Sequence, residues 1–374
     1  MINTSKFYTG LTSRGISFFT GVPDSLLKDI CAYISDNVPE ERHIISANEG
    51  ASIGLAVGNY LASGNLSLVY MQNSGFGNTV NPLLSIADDD VYGIPMLLLI
   101  GWRGEPGIKD EPQHVKQGKV SEELLIAMKI PYQIIDANSD IDVVLDEAIN
   151  TAMSEMKPYA LLVRKNTFEK YKLQNDQASS FPLDREGAVK LIIDQLNEKD
   201  IVVSTTGKTS REVFEYREEL NQSHEKDFLT VGAMGHTSSI AMGVAIEKKD
   251  RNVFCLDGDG SVLMHMGSLA INGLRKDLQN FKHIVINNGA HDSVGGQPTV
   301  GFEIDFPKIA ESCGYTLADT ASEVDEIIVK LNKMINHKGR AFLELKVNKG
   351  ARENLGRPTT TPKENKKAFK QFLK

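Results

Sequence analysis

The sequence predicts an α/β protein built from two doubly wound, parallel-sheet domains. Short apolar and β-branched runs alternate with helical patterns along the chain, which is typical of parallel sheets covered by helices on both faces. A length of 374 residues exceeds one ordinary core and favours two domains. A polar stretch, Lys165–Ser180, separates two sets of such elements and has few residues able to pack a core.

The first set of elements predicts a domain over residues 1–165. Its helices are expected near Ser25–Ser35, Ala51–Ala62, Thr79–Ala87 and Val143–Met156. Its strands are expected at Ile16–Val22, Leu68–Gln72, Met96–Gly101, Tyr132–Ile135 and Ala160–Arg164.

The second set predicts a domain over residues 183–374, joined to the first by a linker at 166–182 with no middle domain. Its helices are expected near Arg185–Leu196, Ser238–Glu247, Gly267–Leu274 and Val324–Ile335. Its strands are expected at Ile201–Ser204, Val253–Leu256, His283–Ile286 and Phe342–Val347.

Composition and charge exclude several classes of function. The longest apolar stretch, Ile94–Trp102, is far shorter than the roughly 20 residues of a spanning helix, and the N-terminus lacks an apolar signal core. A cytoplasmic protein with no membrane contact is therefore expected. A net charge of −8 without a basic run argues against nucleic acid as a partner, and residues 362–374 are expected to form a solvated tail.

The cysteines indicate neither a disulfide framework nor a zinc site. There are three, Cys31, Cys255 and Cys313, widely spaced and outside any C-x-x-C pair. We expect buried thiols.

A glycine-rich turn follows an apolar strand in VFCLDGDGSVLMHMGSL. Gly258 and Gly260 let backbone N–H groups approach a phosphate closely, and the helix that follows adds its positive end. Taken alone, the turn equally fits a simple bend of the chain. The next strand, in HIVINNGA, carries Asn288 to the same sheet edge as Asp259, and such an edge is where open α/β sheets bind ligands. Oxygen ligands of this kind suit Mg²⁺.

These residues resemble the thiamine diphosphate (ThDP)-dependent enzymes, in which GDG is followed by NN. Asn288 follows Asp259 by 29 residues, slightly more than is usual in the decarboxylase branch, and a loop at Arg275–Lys282 would absorb the difference. The resemblance implies that Asp259, Asn288 and the carbonyl of Ala290 hold Mg²⁺, with Asn287 as a second candidate. The residues that it assigns to ThDP in this half are Gly207, Met234, Gly235, Gly258, Asp259, Gly260, Ser261 and Asn288.

Met234 lies where the family places a large apolar side chain between the two rings of the cofactor. A plain core methionine is an equally simple interpretation.

The first half contains an independent match to the same family. ThDP enzymes have a buried glutamate that bonds N1′ of the aminopyrimidine, and IISANEGA resembles that element, with Glu49 at the start of a helix. Glu49 is thereby both a catalytic and a cofactor-binding candidate. The alternative is a surface glutamate that stabilises the first turn of the helix.

Four segments resemble phosphonopyruvate decarboxylases, with sulfopyruvate decarboxylases as near relatives: FFTGVPDSLLKD, RGEPGIKDEPQHVKQGK, HDSVGGQPT and LGRP. Both families act on small anionic 2-oxo acids that carry a second anion at C3. We expect Arg103 and Lys109, in a loop at 103–119 that also holds His114, to bind that anion. Alternatively, these cations only balance the acidic residues of the loop.

The sequence indicates the groups that transfer protons less clearly than it indicates the cofactor ligands. Asp24 follows a predicted strand and is a catalytic candidate, although it equally suits the N-cap of a helix. Some relatives have a catalytic histidine after the strand Leu68–Gln72, where this chain has Asn73-Ser74. His114, His291 and Asp292 are then the available groups.

The resemblance also implies an oligomer, because the glutamate half and the GDG half of such enzymes meet across subunits. We expect a homodimer or a higher homo-oligomer. Two other functions share the cofactor motifs: a carboligase of the acetolactate synthase type, for which no middle domain is seen, and a silent ThDP-binding subunit, against which Glu49 and the complete metal set argue.

Overall fold

A computed structural model describes residues 1–175 and 179–374. The chain divides into two compact units, Met1–Asp176 with Val294–Gln297 and Gln177–Ser293 with Pro298–Lys374. Each unit holds one six-stranded sheet in which every paired strand is parallel, and helices connect the strands. The predicted α/β class is confirmed, and the described residues contain no middle domain.

The first unit has the strand order β2-β1-β3-β4-β6-β5. Its strands are β1 (Phe18–Gly21), β2 (His43–Ile45), β3 (Ser67–Gln72), β4 (Leu97–Gly101), β5 (Tyr132–Ile135) and β6 (Tyr159–Val163). Its helices are α1 (Thr4–Ser13), α2 (Lys28–Asn37), α3 (Glu49–Ser63), α4 (Phe76–Leu83), α5 (Pro112–Ala127) and α6 (Ile141–Glu155). The chain leaves β1 toward β2 on one side and returns to β3 on the other, so a topological switch point lies beside β1.

The second unit has the order β11-β12-β10-β9-β7-β8, which is the order of the first unit read from the opposite edge. Its strands are β7 (Ile201–Ser204), β8 (Asp227–Leu229), β9 (Val253–Gly258), β10 (Phe281–Asn287), β11 (Leu317–Ala321) and β12 (Ala341–Lys346). Its helices are α7 (Arg185–Gln195), α8 (Lys208–Glu219), α9 (Thr237–Glu247), α10 (Asp259–Met264), α11 (Ser268–Gly273), α12 (Phe306–Ser312), α13 (Val324–Asn336) and α14 (Pro362–Phe372).

Both faces of each sheet are apolar, which explains the unbroken apolar runs of the sequence. In β4, Leu97 and Leu99 enter one core cluster of the unit, whereas Leu98 and Ile100 enter the other. All four are completely buried. Successive side chains of a strand point to opposite faces, so a strand between two helical layers must be apolar throughout.

Three expectations about the chain were wrong. One was that all three thiols are buried, whereas Cys313 is the C-cap of α12 and is partly exposed. The predicted loop at 103–119 ends at Pro112, where α5 begins. The helix was hidden because its buried face carries mainly polar or small residues, namely His114, Gly118, Ser121 and Leu125.

The expected solvated tail is instead α14. Its first turn has a capping box formed by Thr361 and Glu364, and its buried face is anchored by Phe369, whose ring lies 5.5 Å from that of Phe228. The lysines that suggested a tail lie on the opposite face.

Part of the predicted linker packs on the first unit. Phe168 is buried against Phe7, with ring centroids 5.1 Å apart, and the backbone N–H of Ile2 donates to the carbonyl of Thr167 at 2.8 Å. Residues 176–178 of that linker lie outside the described residues, and the predicted boundaries stay a prediction. Among the described residues, no helix is both long and apolar enough to cross a membrane.

Candidate active site

Glu49 lies at the carboxyl-end edge of the first sheet, as the first residue of α3. Its side chain is 6% exposed, and the N-cap of the helix is Asn48, which accepts from the backbone N–H of Ala51. Nδ2 of Asn78 donates to Oε2 of Glu49 at 2.7 Å. A Cβ on Gly75 would lie 2.6 Å from Cγ and Oε1 of Glu49. The carboxylate is therefore enclosed and oriented, unlike a surface capping residue.

Asp24 follows β1 at the same edge and is completely buried. Its Oδ2 accepts from the backbone N–H of Leu26 at 2.9 Å, so it does cap the turn that precedes α2. A Cβ on Gly101, the last residue of β4, would collide with Oδ2. Burial raises the pKa of Asp24 to about 6, although backbone hydrogen bonds and the Arg103 charge oppose the shift. Asp24 can thus hold a proton near neutral pH.

Arg103 is held by acidic and hydroxyl partners within the first unit. Nε and Nη2 donate to the two carboxylate oxygens of Asp110 at 2.8 and 2.5 Å, and Nη1 donates to Oγ of Ser25 at 2.6 Å. Every nitrogen of the guanidinium has a partner. Lys109, in contrast, is exposed and has no hydrogen bond or ion pair within the described residues.

The same aspartate orients a histidine. Nδ1 of His114 lies 3.1 Å from Oδ1 of Asp110, and its Nε2 lies 3.5 Å from Nε2 of Gln72. Burial lowers the pKa of His114 below its usual value, against the opposing hydrogen bond of Asp110. An imidazole that donates from Nδ1 to a carboxylate keeps Nε2 available for proton transfer.

Asn73 occupies the position after β3 where some relatives have a histidine, and it serves a structural purpose. It is 3% exposed; Nδ2 donates to the carbonyl of Arg103 and to Oγ of Ser121, and Oδ1 accepts from the backbone N–H of Arg103. It therefore ties the segment after β4 to α5.

In the second unit, Asp259 begins α10 directly after β9 and is 2% exposed. Its Oδ2 accepts from the hydroxyl of Thr299. Burial raises the pKa of Asp259 to about 6, because the hydrogen bonds from Thr299 and from nearby backbone N–H groups only partly offset the desolvation of the carboxylate. A bound cation would favour the ionised form.

The two asparagines after β10 are bonded differently. Asn287 is completely buried; Nδ2 donates to Oε1 of Glu344 and to the carbonyl of Gly301, both at 2.7 Å, and Oδ1 accepts from Gly289. Its amide is thus fixed on all sides. Within the described residues, the side chain of Asn288 makes one hydrogen bond, in which Oδ1 accepts from the backbone N–H of Ala290 at 3.2 Å. Its oxygen keeps a second acceptor position, which favours Asn288 as the ligand.

Further predicted residues meet around Gly260. A Cβ there would lie 3.4 Å from Nδ1 of His291 and 3.5 Å from Cε of Met234. Met234 is half-buried, whereas a core methionine would be enclosed. Oγ of Ser261 accepts from the backbone N–H of Gly235 at 3.1 Å. Gly207 is the N-cap of α8 with φ = 98°, a conformation that favours glycine.

His291 and Asp292 have opposite surroundings. Burial lowers the pKa of His291 to about 4, so its ring is neutral near pH 7. Asp292 is paired with Nη1 of Arg185 at 2.5 Å and with Nζ of Lys208 at 3.3 Å. These cations hold the pKa of Asp292 below its usual value, although its burial opposes the shift. Asp292 is therefore a poor proton donor near neutral pH. The neutral ring of His291 offers one nitrogen as an acceptor of a hydrogen bond.

Comparisons with known proteins decide the family. The N-terminal TPP (thiamine pyrophosphate, the same compound as ThDP) binding domain of thiamine pyrophosphate enzymes matches residues 5–125, and the C-terminal TPP binding domain matches residues 205–345. The chain is 33% identical over its whole length to the phosphonopyruvate decarboxylase of Streptomyces viridochromogenes, of which 95% is covered. The chain belongs to the thiamine diphosphate-dependent decarboxylases.

Sulfopyruvate decarboxylases are also similar, in shorter matches. The beta subunit from Methanocaldococcus jannaschii is 36% identical over 36% of the chain and 68% of that subunit. The alpha subunit from Methanococcus maripaludis is 31% identical over 42% of the chain and 90% of that subunit. The chain is thus a 2-oxo acid carboxy-lyase. It resembles phosphonopyruvate decarboxylase over its whole length and each subunit of sulfopyruvate decarboxylase over part of it.

The oxygen atoms beside Asp259 fit a magnesium ion. Asp259 offers a buried carboxylate and Asn288 an amide oxygen with a free acceptor position, whereas Oδ1 of Asn287 already accepts from Gly289. Hard oxygen donors with one negative charge are the set that Mg²⁺ takes when phosphate oxygens complete its shell.

Sequence reasoning missed several residues that support the site. They are Gly75, Asn78, Thr299 and Gly301. Asp110 was expected only as one of the acidic residues that balance the loop cations, and it does pair with Arg103. Gly75 and Asn78, in the motif NSGFGN, lie just after a predicted strand end, and this position could have identified them as candidate site residues. Thr299 and Gly301 carried none, because their partner Asp259 lies some forty residues earlier in the chain.

Proposed function

We propose that this decarboxylase converts phosphonopyruvate to phosphonoacetaldehyde and CO₂, using ThDP and Mg²⁺. The observation that carries the proposal is the match to phosphonopyruvate decarboxylase, which extends over the entire chain rather than over the cofactor motifs alone. The arrangement of cations after β4 supports it, because an anion at C3 of the substrate needs a positive partner.

In this proposal each half of the chain holds one end of the cofactor. Asp259, Asn288 and the carbonyl of Ala290 would bind Mg²⁺, and Gly258, Gly260 and Ser261 would line the diphosphate. The side chain of Met234 would lie between the two rings of the cofactor. When bound, ThDP supplies the electron sink that makes loss of CO₂ from a 2-oxo acid possible.

Glu49 would hydrogen-bond N1′ of the aminopyrimidine. Its carboxylate is buried and has a fixed direction, because Asn78 holds Oε2 and Gly75 leaves room for Oε1. A carboxyl group with one oxygen bonded in this way presents the other oxygen in a defined direction for a hydrogen bond.

Three groups remain candidates for moving a proton at or near the carbon that loses CO₂. Asp24 is the most favourable acid, because its raised pKa leaves a fraction protonated near neutral pH. His114 would relay protons through Nε2, and His291 would accept one.

Arg103 and Lys109 would bind the phosphonate. Arg103 points in a fixed direction because Asp110 and Ser25 hold it, and the charge of Lys109 is not balanced by a neighbour in the described residues. A phosphonate approaches two negative charges near neutral pH whereas a sulfonate has one, so the unbalanced charge of Lys109 should matter more for the phosphonate, since the charge of Arg103 is already paired with Asp110.

Steady-state kinetics with phosphonopyruvate, sulfopyruvate and pyruvate, followed by release of CO₂ and by ³¹P NMR, test the substrate. We expect the highest kcat/KM for phosphonopyruvate. Lys109→Ala should raise KM for phosphonopyruvate with a much smaller effect on pyruvate, and Lys116→Ala, an exposed cation on α5, serves as the matched control. Equal kcat/KM for pyruvate and phosphonopyruvate would refute the proposal.

The second candidate is sulfopyruvate decarboxylation, favoured by the matches to both subunits of such enzymes. A preference for sulfopyruvate in the same assay would establish it. Formation of a ligated product from two 2-oxo acids would instead indicate an acetolactate synthase-like carboligase. We propose a homodimer or higher homo-oligomer as the active form, which sedimentation with ThDP and Mg²⁺ would test.

A further inference from the structure

Three potential metal ligands lie together in the core of the second unit, apart from the predicted magnesium ligands. Cys255 and Asp257 point to the same face of β9 because they are two residues apart, and His283 on β10 pairs with Cys255 in the sheet register. Their ligand atoms all lie within 4.8 Å of one another. None of the three residues is more than 1% exposed.

The bonding of His283 leaves one ring nitrogen unexplained. Nδ1 lies 3.3 Å from the hydroxyl of Tyr315, whereas Nε2 has no hydrogen-bond partner among the described residues. Nε2 lies 3.5 Å from Oδ2 of Asp257. If Nδ1 donates to Tyr315, Nε2 turns a lone pair toward a carboxylate, and a cation between them would make that contact favourable. A metal-binding histidine shows the same pattern, with its second nitrogen donating to an outer group.

We propose that Cys255, Asp257 and His283 bind a zinc ion that links β9 to β10, in contrast to the expectation from cysteine spacing, which could not show the approach of His283. Zinc accepts thiolate, imidazole and carboxylate together, and two of its ligands on one tetrahedral ion lie roughly 3.4 Å apart. The 3.5 Å between Asp257 and His283 matches that spacing. Sγ of Cys255 would be the third ligand, and for this the three ligand atoms, which now lie within 4.8 Å of one another, would move slightly closer together.

Charge balance in the core supports the same assignment. One carboxylate and one thiolate carry two negative charges, which a divalent cation neutralises, so no uncompensated charge stays buried.

The position of the cluster gives the ion a structural function. β9 and β10 continue directly into Asp259 and into Asn287 and Asn288. Oδ1 of Asp257 also accepts from the backbone N–H of Gly258 at 3.0 Å. A zinc ion at Asp257 thus stabilises the strand pair that carries the predicted magnesium ligands, without contacting ThDP.

Metal analysis of the purified holoenzyme tests the proposal. The full chain, saturated with ThDP and Mg²⁺, is passed through metal-free buffer by gel filtration and analysed by mass spectrometry of the elements. We expect close to one zinc ion per chain. Folded, active enzyme that contains no transition metal after expression with added zinc would overturn the inference.

Cobalt substitution identifies the ligands. Co²⁺ bound to a thiolate absorbs in the near ultraviolet by charge transfer, so the cobalt protein should show this band and Cys255→Ser should lose both the band and the zinc. Cys313→Ser, in the same unit, is the matched control and should keep both. A band of unchanged intensity in Cys255→Ser would refute the assignment.

Zinc found in the purified enzyme could instead occupy the magnesium site, and Asp259→Ala distinguishes these two positions. Asp259→Ala removes the proposed magnesium ligand but leaves the buried cluster intact, so it should retain one zinc ion and the cobalt band. Loss of all zinc in that variant would show that the metal sits at the cofactor site and would overturn the proposal. Should Cys255→Ser fail to fold, the metal content of the unmodified enzyme decides alone.

Discussion

Gly75 and Glu49 lie in direct contact, so that the space for the glutamate carboxylate exists only because residue 75 has no side chain. A Cβ at position 75 would stand 2.6 Å from Oε1 and Cγ of Glu49. The direction of the proposed N1′ ligand is therefore determined by a residue that takes no part in the chemistry.

Gly75→Ala should displace the Glu49 carboxylate and lower kcat by about tenfold or more, which corresponds to about 1.4 kcal/mol of lost transition-state stabilisation. Overpacking should also lower the free energy of unfolding by about 1–3 kcal/mol. Kinetics and urea unfolding measure the two effects. Gly77→Ala is the matched control, because a Cβ at position 77 meets nothing within 4 Å. Equal effects of the two substitutions would contradict the packing argument.

Glu49→Gln should remove most turnover while ThDP stays bound, because glutamine keeps the shape and the hydrogen bonding but cannot share the N1′ proton. Turnover and ThDP retention after gel filtration measure this. Full activity at raised ThDP concentration would show that Glu49 only assists binding.

Asp24→Asn should change how stability depends on pH. Burial raises the pKa of Asp24 to about 6 from 3.8, so between about pH 4 and pH 6 the folded protein binds more protons than the unfolded chain, and the free energy of unfolding falls as pH rises. In the wild-type enzyme the free energy of unfolding should fall by roughly 3 kcal/mol by the time the pH is above 6. The asparagine variant should not show this fall. It should also have a lower kcat, since an amide donates no proton to carbon.

Urea unfolding of the wild-type enzyme and of Asp24→Asn at a series of pH values checks this prediction. The exposed Asp90→Asn is the control and should follow the wild-type pH dependence. Parallel curves for Asp24→Asn and the wild-type enzyme would show that the pKa of Asp24 is the same in the folded and unfolded chain.

Removal of Mg²⁺ by EDTA, or Asp259→Ala, should abolish retention of ThDP, because the diphosphate is held through the metal as much as through Gly258, Gly260 and Ser261. The absorbance of ThDP in the protein fraction after gel filtration measures retention. ThDP that stays with metal-free protein would exclude Asp259 as a metal ligand.

Phe369→Ala should lower the free energy of unfolding by about 3 kcal/mol or more, because it removes a 5% exposed ring that packs on Phe228. Lys367→Ala, on the exposed face of the same helix, should change it by less than about 0.5 kcal/mol. Equal, small changes in thermal and urea unfolding would mean that α14 does not stabilise the second unit.

The α/β class and the cofactor motifs were predictable from the sequence because each depends on neighbouring residues. An apolar run followed by a glycine-rich turn defines the end of β9, and IISANEGA defines the start of α3. Since parallel strands end at a common edge, such local patterns also predict which polar side chains reach that edge. The family match to both TPP binding domains agrees with that interpretation.

The surroundings of these residues depended on tertiary structure. Asn78 bonds Glu49, Thr299 bonds Asp259, and Cys255 meets His283; every pair is formed by packing of separate elements rather than by a local pattern. Helices α5 and α14 were missed for different reasons. In α5, Leu125 is the only large apolar residue that is buried, so its periodic signal is weak. In α14 the apolar residues do lie on one face, but the lysines suggested a solvated tail, and burial of that face is decided only when the helix packs on the rest of its unit.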